Sequence, residues 1–419
     1  MDLNSSMISH LLCFLLLVSL VYPIYCSKTS SHHLANQTFQ QEEKFRKLKE
    51  KIAIHLQRIN KPAVKTIHSP DGDIIDCVLF HNQPAFDHPL LKGHKPASPP
   101  KLPKGYVEDN SSDFAQLWSL SGESCPEGTI PIRRTREKDI LRAGSIDKFG
   151  KKSSDFKKNA NGTPNGDPVE YAVITVNDGA VYGAKAIINV WAPYMESKNE
   201  FSASKIWITS GEADDPTRNS IEFGWQVSSF HYGDDRPRVT VYWTADGYHK
   251  TGCYNLLCPG FIQTNHKIAL GSRIVPVSTY NGKQFGIELM VWKDSNDGNW
   301  WLKWGSGLLL GYWPAKLFTY LKDYAIDVQF GGAVSNLKTA GSHTFTQMGS
   351  GHFPEEGYGK ASHFKKIQLV DYDDSLYDLP SDHTTEISFP GCYNLKEGKG
   401  YDWGNYFYYG GPGRNINCP

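Results

Sequence analysis

The sequence predicts an antiparallel β-sandwich that follows a small α+β segment. Aromatic residues make up 13% of the 419 residues, and the chain contains 38 glycines and 24 prolines. From Tyr171 onward apolar and polar residues alternate, and turn sequences such as Asp246-Gly and Asn281-Gly separate the alternating runs. Alternation with period two is typical of half-buried strands, and closely spaced turns favour a sandwich or barrel. A mainly β fold is therefore predicted.

An apolar run from Leu11 to Tyr22, interrupted by Ser19, comes first. It is shorter than the ~20 residues that a transmembrane helix needs. Its position fits a secretory signal peptide over residues 1–26, which ends near Cys26. A retained membrane anchor is the alternative, because residues 1–10 carry no lysine or arginine. We predict a secreted chain without a membrane segment after signal removal.

Secretion determines how the cysteines are interpreted. Cys13 would leave with the signal peptide and Cys26 lies at its end, so six cysteines remain for an oxidising compartment. Six thiols allow 15 pairings, but the spacing favours three local pairs. Zinc is the alternative, and it is disfavoured because the short gap between two cysteines occurs once; we expect no metal and no cofactor. The expected pairs are Cys77–Cys125, Cys253–Cys258 and Cys392–Cys418.

Surface chemistry restricts the partners. Lysine and arginine total 44, as do aspartate and glutamate, so the formal charge is zero. This balance argues against nucleic acid or an anionic membrane as a partner. Three N-glycosylation sequons, at Asn36, Asn110 and Asn161, agree with secretion.

Residues 27–160 form the predicted α+β segment, which ends in a basic linker. Apolar residues at three- and four-residue steps predict a helix from Thr38 to Asn60. Thr38 and Gln41 can form a capping box at its start. After a turn, a strand is predicted at Ile74–Val78.

A proline-rich passage and a basic stretch complete this segment. The passage from Gln83 to Pro103 is predicted to be extended, because proline fixes the backbone angle and lacks an N–H group. Between Arg133 and Lys158, ten basic residues accompany four acidic ones. We expect this stretch to be exposed, as a solvated linker or as a site of proteolytic processing. These two interpretations are compatible.

The predicted β domain spans residues 161–419, and one of its strands carries an informative pattern. In the run from Asn219 to Ser228, the alternation predicts that four apolar side chains point to the core: Ile221, Phe223, Trp225 and Val227. The opposite face receives Glu222, Gly224 and Gln226. A bare glycine on that face suits the approach of a substrate chain. The alternative interpretation is that Glu222 is an ordinary surface residue in contact with water and has no role in a site.

A second run, from Val328 to Asn336, alternates in the same way. Gln329, Gly331 and Ala333 share one face. If the two strands are adjacent, their glycines leave a smooth groove with few polar groups. We therefore expect Gly224, Gln226, Gln329 and Gly331 to line this groove.

These and other segments together closely resemble one family, the neprosin family of secreted plant proteins, over nearly the whole mature chain. The segments are Ile74-Ile-Asp-Cys-Val, Gln83-Pro-Ala-Phe-Asp-His-Pro, Gly128-Thr-Ile-Pro-Ile-Arg-Arg, Ile221-Glu-Phe-Gly-Trp-Gln-Val, Thr251-Gly-Cys-Tyr-Asn-Leu-Leu-Cys-Pro-Gly-Phe, Gly311-Tyr-Trp-Pro, Thr346-Gln-Met-Gly-Ser-Gly-His-Phe-Pro-Glu-Glu-Gly and Tyr408-Tyr-Gly-Gly-Pro-Gly.

The resemblance implies an activation segment followed by a β-sandwich glutamic peptidase that cleaves after proline in acid. It also implies local disulfides that match Cys253–Cys258 and Cys392–Cys418. The family uses two glutamates, of which one holds a proton and polarises the scissile carbonyl while the other activates water. Glu222 lies at the first position. The second belongs to a Trp-Gly-Gly-Glu segment, which here reads Phe330-Gly-Gly-Ala333.

Alanine at position 333 has no proton to give, so the resemblance implies an incomplete catalytic pair. Glu288 is a candidate substitute on a polar strand face, with a solvated role as the interpretation that we favour. We expect a glutamic-endopeptidase relative that is weakened or inactive. The alternative is a non-catalytic β-sandwich that binds peptide or cell-wall polysaccharide through exposed aromatic rings.

Expected partners are proline-containing peptides or proteins and the chain's own activation segment. The expected location is extracellular, in the apoplast or cell wall.

Overall fold

The computed structural model describes nine stretches of the chain: residues 30–108, 115–152, 157–158, 164–165, 169–177, 179–212, 215–305, 307–337 and 342–419. The predicted signal peptide, the sequons at Asn110 and Asn161, and the predicted domain boundary at residue 160 lie outside these residues, as does the side chain of Asn36. The chain divides after Ile54 into two units. Among the described residues, no helix has the length and apolar character to span a membrane.

The first helix, α1, covers Ser30–Ile59. It begins well before Thr38, so the predicted capping box at Thr38 and Gln41 is wrong: both positions lie inside the helix. The predicted end is confirmed, since Pro62 cannot continue a helix and disfavours helical backbone at the residue before it.

A three-stranded antiparallel sheet follows, in the order β1-β2-β4. Its strands are β1 (Ala63–His68), β2 (Ile74–Leu79) and β4 (Thr129–Arg133). The Cys77–Cys125 disulfide lies in a small buried cluster with Trp118 beside this sheet. The helix α2 (Glu137–Arg142) comes after this sheet. Strand β3 (Ala115–Gln116) pairs with the distant β13 (Ile274–Val275).

The two halves of the proline-rich passage differ in structure. Its start forms short 3-10 turns at Phe80–Asn82, Pro84–Asp87 and Pro89–Leu91, which corrects the prediction of an extended chain from Gln83. From His94 to Pro103 the backbone has no helix or strand.

Two large antiparallel sheets form the rest of the chain. The six-stranded sheet has the order β11-β10-β9-β17-β7-β20. Its strands are β7 (Val169–Val176), β9 (Ser202–Ser210), β10 (Asn219–Val227), β11 (Arg238–Thr244), β17 (Asp327–Ser335) and β20 (Thr384–Ile387).

The nine-stranded sheet has the order β12-β16-β15-β14-β8-β18-β22-β21, with β19 paired to β18. Its strands are β8 (Gly183–Asn189), β12 (Ile262–Gln263), β14 (Gly286–Lys293), β15 (Trp300–Trp304), β16 (Leu308–Trp313), β18 (Ser362–Val370), β19 (Leu376–Asp378), β21 (Asn394–Gly400) and β22 (Gly404–Gly410). Smaller elements are β5 (Lys157–Lys158), β6 (Pro164–Asn165), β13 (Ile274–Val275) and α3 (Ser229–Tyr232).

The core lies between the two large sheets and confirms the predicted β-sandwich. One apolar cluster contains side chains from both sheets, including Phe223 of β10 and Leu289 of β14. The indole N–H of Trp225 on β10 donates to the carbonyl of Asn189 on β8 over 3.0 Å, which fixes one sheet on the other. Burial of each large apolar side chain contributes roughly 1.5–3 kcal/mol, so this cluster dominates the stability.

Two predictions from the sequence are confirmed. Ile221, Phe223, Trp225 and Val227 all belong to the core cluster, as the alternation indicated. All three predicted disulfides are present, at Cys77–Cys125, Cys253–Cys258 and Cys392–Cys418.

Gly224 and Gly331 are required by contact between strands. A Cβ atom at Gly224 would lie 2.1 Å from the carbonyl oxygen of Ser204 on β9. At Gly331 it would lie 2.2 Å from the carbonyl oxygen of Ala172 on β7. Real Cβ atoms do not approach backbone so closely, so the packing of the sheet alone accounts for both glycines without a substrate.

The substitution Gly224→Ala therefore tests the strand packing. Because the clashing atom is backbone, we expect a loss of about 3 kcal/mol in the free energy of unfolding, measured by chemical denaturation. Gly400→Ala is the control, since its Cβ would lie 3.6 Å from the nearest atom, in ordinary contact with the ring of Tyr406. Equal losses for the two variants would contradict the strand-packing argument.

Candidate active site

Strand β10 carries Glu222 on the face of the six-stranded sheet that points away from the core. The pairing of Glu222 with Trp207 on β9 and Tyr242 on β11 fixes this orientation. The side chain is nevertheless fully buried, with 0% exposure. The alternative of a solvated glutamate is therefore wrong.

Two lysines and a tyrosine surround the Glu222 carboxylate. Lys152 forms an ion pair with Oε1. Lys205, which lies on the neighbouring strand β9, has its Nζ 3.5 Å from Oε2. Tyr248 donates its hydroxyl to Oε1 over 3.1 Å. These contacts replace the water that a charged group loses on burial.

The two lysines keep Glu222 ionised. Burial is the largest influence and raises its pKa, but the charges of Lys152 and Lys205 and the bonds from Lys152 and Tyr248 outweigh it, so the pKa lies below the ordinary glutamate value. Burial lowers the pKa of Lys205 to about 8, against the opposing charge of Glu222. In this state Glu222 is a charge-compensated carboxylate.

Neutral phenols complete the wall of this site. Lys152 lies over the rings of Tyr242 and Tyr248, at 5.2 and 4.9 Å, and Lys205 lies 5.1 Å from the ring centre of Tyr254. Burial, together with the charge of Glu222, raises the pKa of each of these tyrosines. They therefore remain protonated, as hydrogen-bond donors and as cation–π partners.

Lys152 reaches the site from the basic stretch that the sequence analysis expected to be exposed. The expectation of exposure is wrong for residues 150–152, which are buried or half-buried. Lys151 donates to the carbonyls of Lys250, over 2.8 Å, and of Gly252. The backbone N–H of Tyr254 donates to the carbonyl of Gly150 over 2.9 Å. Residues 150–152 thus pack directly against the loop after β11.

Ala333 shares a sheet face with Glu222 but does not contact it. On β17, Ala333 is in register with Ala203 of β9, which pairs with Gln226, whereas Glu222 is in register with Gln329 through Trp207. With strands about 4.8 Å apart and residues about 3.3 Å apart, the two Cα atoms are separated by roughly 16 Å. A glutamate at position 333 would point to the same side of the sheet as Glu222, at a distance from it.

The proposed groove residues have different surroundings. Gln226, Gly224 and Gly331 are buried, and Gln329 is half-buried. Ala333 belongs to a small apolar cluster with Val173 and Trp207. This face therefore combines a charged end around Glu222 with an apolar end around Ala333.

Glu288 does not belong to this site. It lies on β14 of the other large sheet, 1% exposed, and its carboxylate contacts Lys303, Lys185 and Tyr106. It can neither substitute for the missing second glutamate nor be described as solvated, so both expectations for Glu288 are wrong.

Sequence reasoning missed Lys152, Lys205 and Tyr248. Alternation on β9 contains a usable signal for Lys205, because Ile206 and Ile208 belong to the core and the lysine must point to the opposite face. Lys152 and Tyr248 lie in irregular segments, where periodicity gives no signal.

Two family models and several solved structures are similar to this chain. A family model described as Neprosin matches residues 198–412, and one described as Neprosin activation peptide matches residues 66–175. Among solved structures, scytalido-glutamic peptidase with a peptide-based transition state analog is 10% identical, with a TM-score of 0.32; the match covers 58% of this chain and 98% of that one.

Another match is SCP-B, a member of the eqolisin family of peptidases in complex with the tripeptide Ala-Ile-His. It is 9% identical, has a TM-score of 0.30 and covers 57% of this chain and 96% of that one. A β-porphyranase from the human gut bacterium Bacteroides plebeius is 9% identical, with a TM-score of 0.23, and covers 43% and 61%. Such identities and scores are too low to transfer a mechanism.

The substitution Lys152→Met tests the compensation of charge at Glu222. We expect a loss of about 2–3 kcal/mol in the free energy of unfolding at pH 7, because a buried carboxylate would lose one of two cations. A carboxylate with a lowered folded pKa stabilises above its unfolded pKa of about 4.3, and this contribution disappears as the pH falls through the folded pKa. The difference between variant and unmodified protein should therefore shrink at pH 3.

Chemical denaturation at both pH values measures this effect. Lys148→Met is the matched control, since Lys148 is exposed on the same stretch and should change stability by less than about 0.5 kcal/mol. An equal loss in the control, or a loss at Lys152 that is unchanged at pH 3, would rule out the proposed compensation.

Proposed function

This chain belongs to the neprosin family, with the family's activation segment, and we propose that it is a secreted plant glutamic-endopeptidase relative held latent by that segment. In this proposal Glu222 is the retained catalytic carboxylate, and Ala333 leaves the protein weak or inactive toward its expected post-proline peptide bonds. The ion pair between Lys152 and the buried Glu222 carries the proposal. The expected location of the protein is the apoplast or the cell wall.

Peptide hydrolysis at this site needs two functions. One group takes a proton from the attacking water, and another polarises the scissile carbonyl. Glu222 is the candidate for the first role, because it is a carboxylate whose Oε1 would become free to accept a proton once Lys152 departs. The second role has no acidic group at position 333, because the side chain of Ala333 is a methyl group. Lys205 and Tyr248 are the nearby donors that remain.

The loss of the second carboxyl predicts a large loss of rate. Each 1.36 kcal/mol of transition-state stabilisation corresponds to a factor of ten in rate, and one general acid typically contributes about 10²- to 10⁴-fold. The position of Ala333 on the same sheet face as Glu222 is compatible with a second group acting from the other side of a bound peptide.

Latency follows from two ion pairs between the segment before residue 153 and the sandwich. Lys152 pairs with Glu222, and Asp73, from the turn before β2, pairs with the buried Arg238 on β11. Burial, the largest influence, raises the pKa of Asp73, but Arg133 and Arg238 outweigh it and the pKa is lowered. Both pairs contribute above about pH 4 and weaken in stronger acid, as each carboxylate is protonated.

The disulfides leave this segment free to depart. Cys77–Cys125 closes within it, whereas Cys253–Cys258 and Cys392–Cys418 close within the sandwich. These three bonds use every cysteine beyond Cys26. A cut between residues 153 and 168 would therefore leave two fragments joined by noncovalent contacts alone.

Acid release is tested by replacing part of residues 153–168 with a recognition sequence for a specific protease. After cleavage, the fragments should co-elute in size-exclusion chromatography at pH 7 and separate below about pH 4, as both carboxylates lose their charge. Cleaved Asp73→Asn protein should separate at a higher pH than the cleaved parent. Fragments that stay together at pH 3 would contradict a latch built on ion pairs.

Activity is tested with a proline-containing peptide at acid pH and the processed protein. We expect slow cleavage, a gain of at least tenfold for Ala333→Glu, and loss of that gain on addition of Glu222→Gln. Ala333→Gln is the matched control, because it adds similar volume without an acidic proton. Equal rates for the Glu and Gln variants would refute the role assigned to position 333.

A non-catalytic peptide- or polysaccharide-binding protein is the second candidate. The apolar cluster of Ala333 with Trp207 and Val173 favours it, since this buried cluster offers no acidic group where the second glutamate would stand. In that case the processed protein would bind peptide or polysaccharide but release no product, with or without a glutamate at position 333.

A further inference from the structure

The outward face of the nine-stranded sheet is covered by one extended segment, His94–Glu108, which we call the strap. The face beneath it carries large side chains with almost no exposure. These are Trp292, Trp301, Tyr312, Met290, Lys185, Lys303 and Glu288. It lies on a different sheet from Glu222 and has no part in the chemistry proposed above.

The exposure of the strap repeats every three residues. His94, Ala97, Pro100, Pro103 and Tyr106 are buried or half-buried, whereas each residue between them is exposed. A polyproline II helix has three residues per turn and no internal hydrogen bonds. Residues 94–103 of the strap match this period and present every third residue to the sheet. The strap then turns, since the N–H of Tyr106 donates to the carbonyl of Pro103 and Gly105 has a positive φ.

Aromatic side chains of the sheet bind the strap through its backbone. The indole N–H of Trp292 donates to the carbonyl of Lys101 over 3.2 Å. The hydroxyl of Tyr312 accepts from the backbone N–H of Ala97 over 3.0 Å and lies 3.0 Å from Nε2 of His94. Pro96, Ala97 and Pro99 line one shallow cavity with Trp301 and Leu309.

The far end of the strap is held by charge and by a short parallel bridge. The hydroxyl of Tyr106 donates to the Glu288 carboxylate over 2.6 Å. The cations of Lys185 and Lys303 lie 5.2 and 4.9 Å from the centre of the Tyr106 ring. The backbone of Lys104 accepts from Leu376 over 2.9 Å and donates to Asp374 over 2.6 Å.

This combination is the chemistry by which proline-rich peptides are recognised. Their carbonyls are free to accept hydrogen bonds, their backbone is already ordered, and aromatic grooves with N–H and O–H groups bind them. Trp292 and Tyr312 contact main-chain groups of the strap, at Lys101 and Ala97. The outward face therefore recognises a peptide backbone rather than particular side chains. Sugar rings would offer no such row of carbonyls.

We propose that this outward face is an exosite for extended proline-rich peptides, which the strap occupies in the full chain. Departure of the N-terminal segment would uncover Trp292, Trp301 and Tyr312 together with the Glu288 cluster. A proline-rich chain could then dock there while another part of it reaches the opposite face of the sandwich. The exosite binds peptide whether or not Glu222 cleaves it.

The test uses the full chain with a loosened strap, in which Pro100, Pro103 and Tyr106 are each replaced by serine. The probe is a fluorescent peptide of residues 94–108, followed by anisotropy, with peptide integrity checked by mass spectrometry. We expect the loosened chain to bind the probe at least tenfold more tightly than the unmodified chain, whose site is filled. A peptide with the same three serines should not bind.

Trp292→Phe in the loosened chain keeps a ring but removes the indole donor, and it should weaken binding about threefold to tenfold. Circular dichroism and thermal unfolding establish that each variant is folded. If the triple variant does not fold, the single substitution Tyr106→Phe serves instead, with an expected gain of about threefold from one lost hydrogen bond.

A folded loosened chain that does not bind the probe, or that binds probe and serine peptide equally, would overturn the exosite. Binding of a cello-oligosaccharide that displaces the probe would assign the face to carbohydrate and would equally overturn it. Neither result would bear on cleavage at Glu222, which is measured separately.

Discussion

The buried carboxylate of Glu222 is the constraint on which the site depends. A charged group without water is very costly unless cations and donors replace the lost hydration. Here Lys205 from β9, Lys152 from the segment before the sandwich and Tyr248 from the loop after β11 supply that replacement. Three separate parts of the chain must therefore be in place for one side chain to stay ionised.

Both large sheets have outward faces that earlier residues cover. Residues 150–152 pack over the Glu222 face, and the strap packs over the face of the nine-stranded sheet. In each case a small number of polar contacts to buried groups fixes a segment with little secondary structure of its own. The sandwich thus carries two surfaces whose accessibility depends on the same N-terminal segment.

Much of the fold follows from local pattern, and the site follows only in part. Alternation correctly divided β10 between the core and the Glu222 face, because it is set by neighbours in sequence. All three disulfides were predicted because each joins two cysteines that follow one another in the order of cysteines along the chain. The ion pair of Lys152 with Glu222 joins residues 70 positions apart, which no periodicity encodes. Glu288 shows the same limit. The sequence predicted that it lies on a strand, but it did not predict which sheet contains that strand or that Lys185 and Lys303 pair with the carboxylate. Gly224 looked like an open groove position, whereas a neighbouring carbonyl explains it.

The ionisation of Glu222 in the intact chain is the most direct test. A carboxyl-carbon NMR titration of ¹³C-glutamate-labelled protein, with the resonance assigned through Glu222→Gln, reports this pKa. The account predicts titration below the ordinary glutamate value of about 4.3 and a shift upward in Lys152→Met. Titration at or above the ordinary value in the unmodified chain would contradict a carboxylate held charged by two lysines.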